Sequence, residues 1–138
     1  KDKKNDSEDK LAKSVVQYLI KTCNDVPYII SKSNDTYQAI ADDFGIWLSE
    51  LLKFNDINLN DSTGLSQFNL QKGQRVYIKP KRRSNSETSF HVISSGQTMW
   101  EVSQLYAVKL SSLYKKNKLF FDRDLIEGDI VFLKKKKK

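Results

Sequence analysis

"SSGQTMWEVSQLYAVKLSSLYKKN", residues 94–117, has a thinner copy, "KSNDTYQAIADDFGIWLSELLKFN", at residues 32–55. At an offset of 62, Asp35 and Thr36 fall on Gln97 and Thr98, Phe44 on Tyr106, Ile46 on Val108, Leu51 on Leu113 and Asn55 on Asn117. Further on the offset drops to 55, and Leu70 pairs with Leu125, Gly73 with Gly128, Val76 with Val131 and Ile78 with Leu133. The first copy therefore carries a seven-residue insertion within "DINLNDSTGLSQFN", residues 56–69. A period of this length points to one supersecondary unit used twice.

Each copy decodes in the same way. "YII" and "FHVI" are short β-branched and aromatic runs that suit a strand. Asn34 and Gly96 follow at a turn, where residues tolerant of positive φ belong. Thr98 with Glu101 has the spacing of a capping box, and Asp35 with Gln38 offers an equivalent one residue earlier in the first copy. Tyr37, Ile40, Ala41 and Phe44 then form a helical apolar stripe, with Met99, Val102 and Tyr106 as its counterpart. After breaks at Gly45-Ile46 and Ala107-Val108, a second helix turns Leu48, Leu51 and Leu52, or Leu110, Leu113 and Tyr114, inward. Asn55 and Asn117 end these helices as left-handed caps. Gly73 and Gly128 open the alternating strands "QRVYIK" and "DIVFLK". The expected fold is α+β: two small βααβ units preceded by an N-terminal helix.

The 138 residues, 38% of them hydrophobic and 30% charged, describe a globular chain lean in core material. No apolar run approaches the roughly 18 residues needed to span a bilayer. The chain starts at Lys1 and its single methionine is Met99, so it reads as a piece of a longer protein. The net charge of +7 sits mostly at residues 134–138 and at Lys79, Lys81, Arg82 and Arg83; setting those nine aside leaves 15 basic residues against 17 acidic ones. That is a solvated connector and tail, without the basic stripe that nucleic-acid binding needs. One cysteine, Cys23, excludes an internal disulfide, and the single His91 has no partner at metal-ligand spacing, so neither a metal nor a cofactor is expected. Ahead of the first copy, Leu11, Val15, Val16, Leu19 and Ile20 stand at helical spacing behind a Ser7 cap and suit a helix docked on that copy, the alternative being a stalk from an upstream domain. The boundaries that follow are 1–25 for the helical extension, 26–80 for the first unit, 81–88 for a flexible linker spanning about 16 Å, 89–134 for the second unit and 135–138 for a basic tail.

"HVISSGQTMWEVSQLYAVKLSSLYKKNKL…LIEGDIVFL" resembles a LysM module, the lysin motif of cell-wall enzymes. The second copy matches that pattern at Gly96, Thr98, Met99, Tyr106, Val108, Leu113, Asn117, Leu119 and Gly128. The first matches at Asp35, Thr36, Ile40, Ala41, Asn55, Ile57 and Gly73. With the "KPKRR" connector and the lysine-rich end, the tandem pair is similar to the C-terminal tails of Bacteroidota peptidoglycan glucosaminidases. Gln97 stands in place of the family's aspartate, Asn34 in place of its glycine, and Ser31 where an aliphatic strand residue is usual.

The resemblance implies binding of N-acetylglucosamine-containing glycans, peptidoglycan or chitin, in a shallow groove between the loop after the first strand and the loop before the second. Carried over by position, one wall in the second unit is Gly96, Gln97, Thr98 and Met99. The other is Phe120, Phe121, Asp122, Leu125 and Ile126. In the first unit Asn34, Asp35, Thr36 and Tyr37 face Asn69, Leu70 and Gln71. Phe120 and Phe121 are open to either core packing or sugar stacking, while Trp47 and Trp100 read as packing residues. No catalytic residue is expected, since the acids are scattered over helix and turn surfaces without the paired carboxylates of a glycosidase. The implied role is anchoring of an upstream catalytic domain in the cell envelope or periplasm. The competing reading is a protein-interaction or envelope-scaffolding module that has lost sugar binding, which the changes at Asn34 and Gln97 make credible.

Overall fold

In a computed structural model that describes residues 18–134, the chain divides between Pro80 and Lys81 into two compact units, Lys1–Pro80 and Lys81–Lys138. The first unit holds β1 (Lys21–Cys23), β2 (Val26–Ile30), α1 (Tyr37–Phe44), α2 (Leu48–Phe54), α3 (Ser62–Phe68) and β3 (Arg75–Tyr77). Its sheet has the order β1-β2-β3, antiparallel throughout. The second unit holds β4 (Phe90–Val92), α4 (Met99–Tyr106), α5 (Leu110–Lys116), a 3-10 turn (Lys118–Phe121) and β5 (Ile130–Phe132), with β4 and β5 antiparallel. No helix among the described residues is long and apolar enough to cross a membrane.

The two offsets read from sequence reappear as strand register. Tyr28 pairs with Tyr77 and Ile29 with Val76 in the first unit; Phe90 pairs with Phe132 and His91 with Val131 in the second. Outside the ladders, Gly73 N–H donates to the Ser31 carbonyl at 3.0 Å and Gly128 N–H to the Ile93 carbonyl at 2.9 Å. The helix starts also correspond. Thr98 makes the full capping box with Glu101, and Thr36 accepts from Ala39 N–H at 3.1 Å. The Asp35–Gln38 box is thus corrected by one position. Asp35 instead closes the preceding turn by accepting from Lys32 N–H, because Thr36 is the residue held in extended geometry at the helix entry. α1 stops at Gly45 and α4 at Ala107, both left-handed with φ of 65° and 55°. Glycine takes that conformation freely, whereas alanine bears a cost of about 1–2 kcal/mol.

The apolar stripes bury as their spacing implies. Ile29, Tyr37, Ile40, Leu51, Val76 and Tyr77 are fully buried in the first unit. Ile93, Met99, Val102, Val108, Leu113, Phe120, Val131 and Leu133 form the core of the second. Each such side chain contributes about 1.5–3 kcal/mol on burial.

Asn55 and Asn117 end the second helices, but neither is left-handed: their φ values are −106° and −133°. Their side chains work across the sheet. Asn55 Nδ2 donates to the Leu51 and Tyr77 carbonyls while its Oδ1 accepts from Tyr77 N–H. Asn117 repeats this with Leu113 and Phe132. A carboxamide has one acceptor and two donors arranged like a peptide group, so it joins a helix end to a strand that a left-handed cap could not reach.

Three further expectations change. In the first unit, Lys21–Cys23 is a strand, not part of a helical extension; Asn24 and Asp25, with φ of 54° and 62°, make the two-residue turn that returns it onto β2. Leu19 is exposed, and the residue that docks is Tyr18, its ring tilted 41° to that of Phe44 with centroids 5.8 Å apart and its hydroxyl donating to Asp35. The Ser7 cap, Leu11, Val15 and Val16 lie outside the described residues, as does the 135–138 tail. The 81–88 linker belongs to the second unit. Lys81 is buried with its ammonium on Ser103 Oγ and Gln104 Oε1, Arg82 bridges to Val108, and buried Asn85 donates from its backbone to the Leu133 carbonyl. These bonds replace the solvation that a flexible connector would keep. Finally, Trp47 is 57% exposed at the N-cap of α2, so it is not a core residue, and Trp100 is half-buried.

Candidate functional site

In the second unit, β4 ends in a turn whose left-handed Gly96, φ 76°, lets the chain reverse into α4. Gln97 N–H donates to the Ser94 carbonyl, Thr98 caps α4, and Met99 lies in its first turn. Opposite stands the loop from the 3-10 turn to β5. There Arg123 pairs with Asp129 at 2.9 Å and lies 5.0 Å from the Phe120 ring. Asp129 also accepts from Ile126 N–H, and these hydrogen bonds, Arg123's first, hold its carboxyl below the usual carboxylate range. Between the two loops is a cleft of about 340 Å³, lined by Gly96, Gln97, Thr98, Met99, Tyr114, Phe120, Arg123, Asp124 and Leu125. Apolar surface from Met99, Phe120 and Leu125 alternates with polar groups, the mixture that suits a sugar ring with hydroxyl and amide substituents.

Six of the nine residues expected here line the cleft: Gly96, Gln97, Thr98, Met99, Phe120 and Leu125. Phe121, Asp122 and Ile126 are exposed and not among its lining residues. The adjacent phenylalanines differ: Phe120 is buried in the core and also lines the cleft, while Phe121 is exposed and stacks on Tyr114 with centroids 5.5 Å apart. Tyr114, Arg123 and Asp124 were missed. Tyr114 stood out only as an inner-face helix residue, and the Arg123–Asp129 pair is visible in sequence only as opposite charges in one loop.

Gln97 is held from behind. Its Oε1 accepts from Ser94 N–H at 3.1 Å and lies 2.7 Å from His91 Nε2, while His91 Nδ1 lies 2.7 Å from the Tyr106 hydroxyl. A half-buried strand imidazole thus braces a residue of the cleft wall.

In the first unit Asn34 takes φ 68° in the equivalent turn, and Asp35 and Thr36 follow as described. Tyr37 corresponds to Met99, which is also buried but lines the second unit's cleft; Tyr37 is fully buried and stacked against Phe68 of α3 with centroids 6.0 Å apart. The inserted helix covers the ring, burial pushes its hydroxyl pKa up, and that hydroxyl has no hydrogen-bond partner among the described residues. Gln71 is tied to β2 through the Ser31 hydroxyl, which donates to the Gln71 carbonyl and accepts from Gln74 N–H. Asn69 caps the end of α3, and Leu70 is half-buried beside it.

Residues 32–79 match the family model described as LysM domain. This segment is a LysM domain. A LysM domain binds glycans and is not catalytic. The match falls on the copy that carries α3 between its second helix and closing strand. No curated protein matches the chain. Among solved structures it is similar to the spore cortex-lytic enzyme SleL of Bacillus cereus, at 24% identity over 80% of this chain and 23% of that one, with a TM-score of 0.32. SleL of Bacillus megaterium QM B1551 is similar at 17% identity over the same shares, with a TM-score of 0.31. The chain thus spans 23% of the length of each of these structures. The LysM match alone carries the reading that follows.

Proposed function

We propose that this chain is a non-catalytic region that binds N-acetylglucosamine-containing glycans of peptidoglycan, and chitin-type oligomers of the same sugar. Its second unit is read as a second LysM module, and its work as holding an attached cell-wall hydrolase at the envelope. The observation that carries this is the cleft between Gly96–Met99 residues and Leu125, set on a scaffold with the strand register of the LysM domain at residues 32–79. Loop amides there can bond the acetamido group and hydroxyls, while Met99 and Phe120 cover its methyl and the sugar face. Titration with N-acetylglucosamine oligomers, followed by NMR, is expected to shift amides around Gly96 and Leu125. Shifts confined to other parts of the chain would refute the site.

The second reading, a protein-interaction or scaffolding role, is favoured by one observation in the first unit: Tyr37 is covered by Phe68. Pulldown on purified peptidoglycan, with and without competing chitin oligomers, separates the two. Glycan binding requires retention that the oligomers compete away; retention insensitive to them supports the scaffold.

A further inference from the structure

We infer that Gln97 determines ligand specificity in the second-unit cleft by presenting a hydrogen-bond donor, and that His91 is the positioning residue that keeps it so; the inference rests on the glycan-binding reading. The orientation of the Gln97 carboxamide follows from its surroundings. A backbone N–H only donates, so the Gln97 atom 3.1 Å from Ser94 N must be the oxygen. With Oε1 accepting, His91 Nε2 at 2.7 Å must carry a hydrogen. In the neutral imidazole His91 Nδ1 is then the bare nitrogen, and it accepts from the Tyr106 O–H at 2.7 Å, with the two rings edge to face at 5.2 Å. The donors run in one direction: Tyr106 to His91, His91 to Gln97.

Two donors on Gln97 Oε1 occupy its lone pairs, so the polarity left for a ligand is the Nε2 group. That group has no acceptor among the described residues, and Gln97 lines the cleft. The first unit lacks this arrangement. Ile29 stands at the position of His91, and Asp35, at the position of Gln97, spends both oxygens on Lys32 N–H and the Tyr18 hydroxyl. Where an aspartate offers acceptors, the second cleft offers a donor. It therefore selects a glycan that presents an acceptor oxygen at this point, either an acetamido carbonyl or the carboxylate of a lactyl-bearing aminosugar. Arg123 lines the same cleft and adds a cation, with Asp124 as a carboxylate nearby.

The test uses the full chain, labelled with nitrogen-15 and titrated with two probes: an N-acetylglucosamine tetramer, and a disaccharide that carries a lactyl carboxylate. The Gln97 side-chain amide pair is expected to shift with ligand, and His91 is expected to show the tautomer protonated at Nε2. A larger shift with the disaccharide assigns the carboxylate; equal shifts assign the acetamido carbonyl. Gln97→Glu keeps an oxygen for Ser94 N–H and His91 but replaces the outward donor by an acceptor, so affinity should fall about tenfold, the order of one hydrogen bond lost. His91→Phe should weaken binding several-fold, yet cause no further loss on top of Gln97→Glu, a non-additivity that general destabilisation does not produce. Wild-type binding with shifts around Gly96 and Leu125, but a silent Gln97 amide and an unaffected Gln97→Glu variant, overturns this inference alone. The opposite His91 tautomer also overturns it. No binding of either probe overturns the glycan reading and this inference with it.

Discussion

Asn55 and Asn117 show how one side chain can join two elements. Each is buried and makes three hydrogen bonds to backbone groups of a helix end and a closing strand. Truncation to alanine strands those groups without water. Asn117→Ala is therefore expected to destabilise its unit by roughly 3 kcal/mol, since a buried unsatisfied group costs about 1–3 kcal/mol. Urea unfolding checks this, and a loss below half a kilocalorie would contradict it. Asn117→Asp should also destabilise, because a carboxylate can accept from Phe132 N–H but cannot donate to either carbonyl. Asp129 makes a prediction about pH. Its folded pKa lies below its unfolded value, held there first by Arg123 and then by Ile126 N–H. Its contribution is thus complete above the unfolded pKa and is lost as pH falls through the folded one. Carbon-13 titration of the Asp129 carboxyl should give a midpoint below that of an unfolded aspartate; a midpoint at or above it removes the bracing role of Arg123.

At the scale of elements, α3 is the part that distinguishes the first copy, and Gly64 is what lets it dock. A Cβ at Gly64 would lie 1.6 Å from the Asn58 carbonyl oxygen, a clash with backbone that no rotamer relieves. Gly64→Ala is expected to destabilise by about 2 kcal/mol or more through forced backbone displacement. Hydrogen exchange of the α3 amides should rise, and Tyr37 should lose protection as Phe68 withdraws. Unchanged exchange would mean that α3 is not held at this glycine. The insertion itself was legible as a change of offset between the copies, and Asp61 and Ser62 are ordinary helix-start residues. Its seat on Tyr37 was not, because sequence says where extra residues enter and not which surface they cover. The same holds for β1: the Asn24-Asp25 turn was present in the sequence, but a three-residue strand is too short to show periodicity.

At the scale of the molecule, two units in one chain raise the question of how weak sites combine. A hydrogen bond to a solvated sugar contributes a net of about 0.5–1.5 kcal/mol, so one shallow cleft of the proposed kind would bind weakly. If both units engage glycan, the second event is intramolecular and retention rises by about 10²–10⁴. Leu125→Arg, placed in the second cleft of the full chain, is then expected to reduce retention on insoluble peptidoglycan far more than it reduces binding of a short soluble oligomer by the first unit. Equal retention of the variant and the wild type would place the binding elsewhere.

Sequence alone determined that a strand–helix–helix–strand pattern recurs, where its turns fall, and which positions are apolar. Those properties depend on residues three or four apart, or on the alternation of neighbours, and they are written locally. Only the tertiary structure decided that residues 81–88 pack into the second unit, that Phe120 turns inward while Phe121 stacks on Tyr114, that Phe68 covers Tyr37, and that His91 braces Gln97. Each of these outcomes depends on a partner that the folded backbone brings within a few ångströms, and local pattern carries no record of that approach.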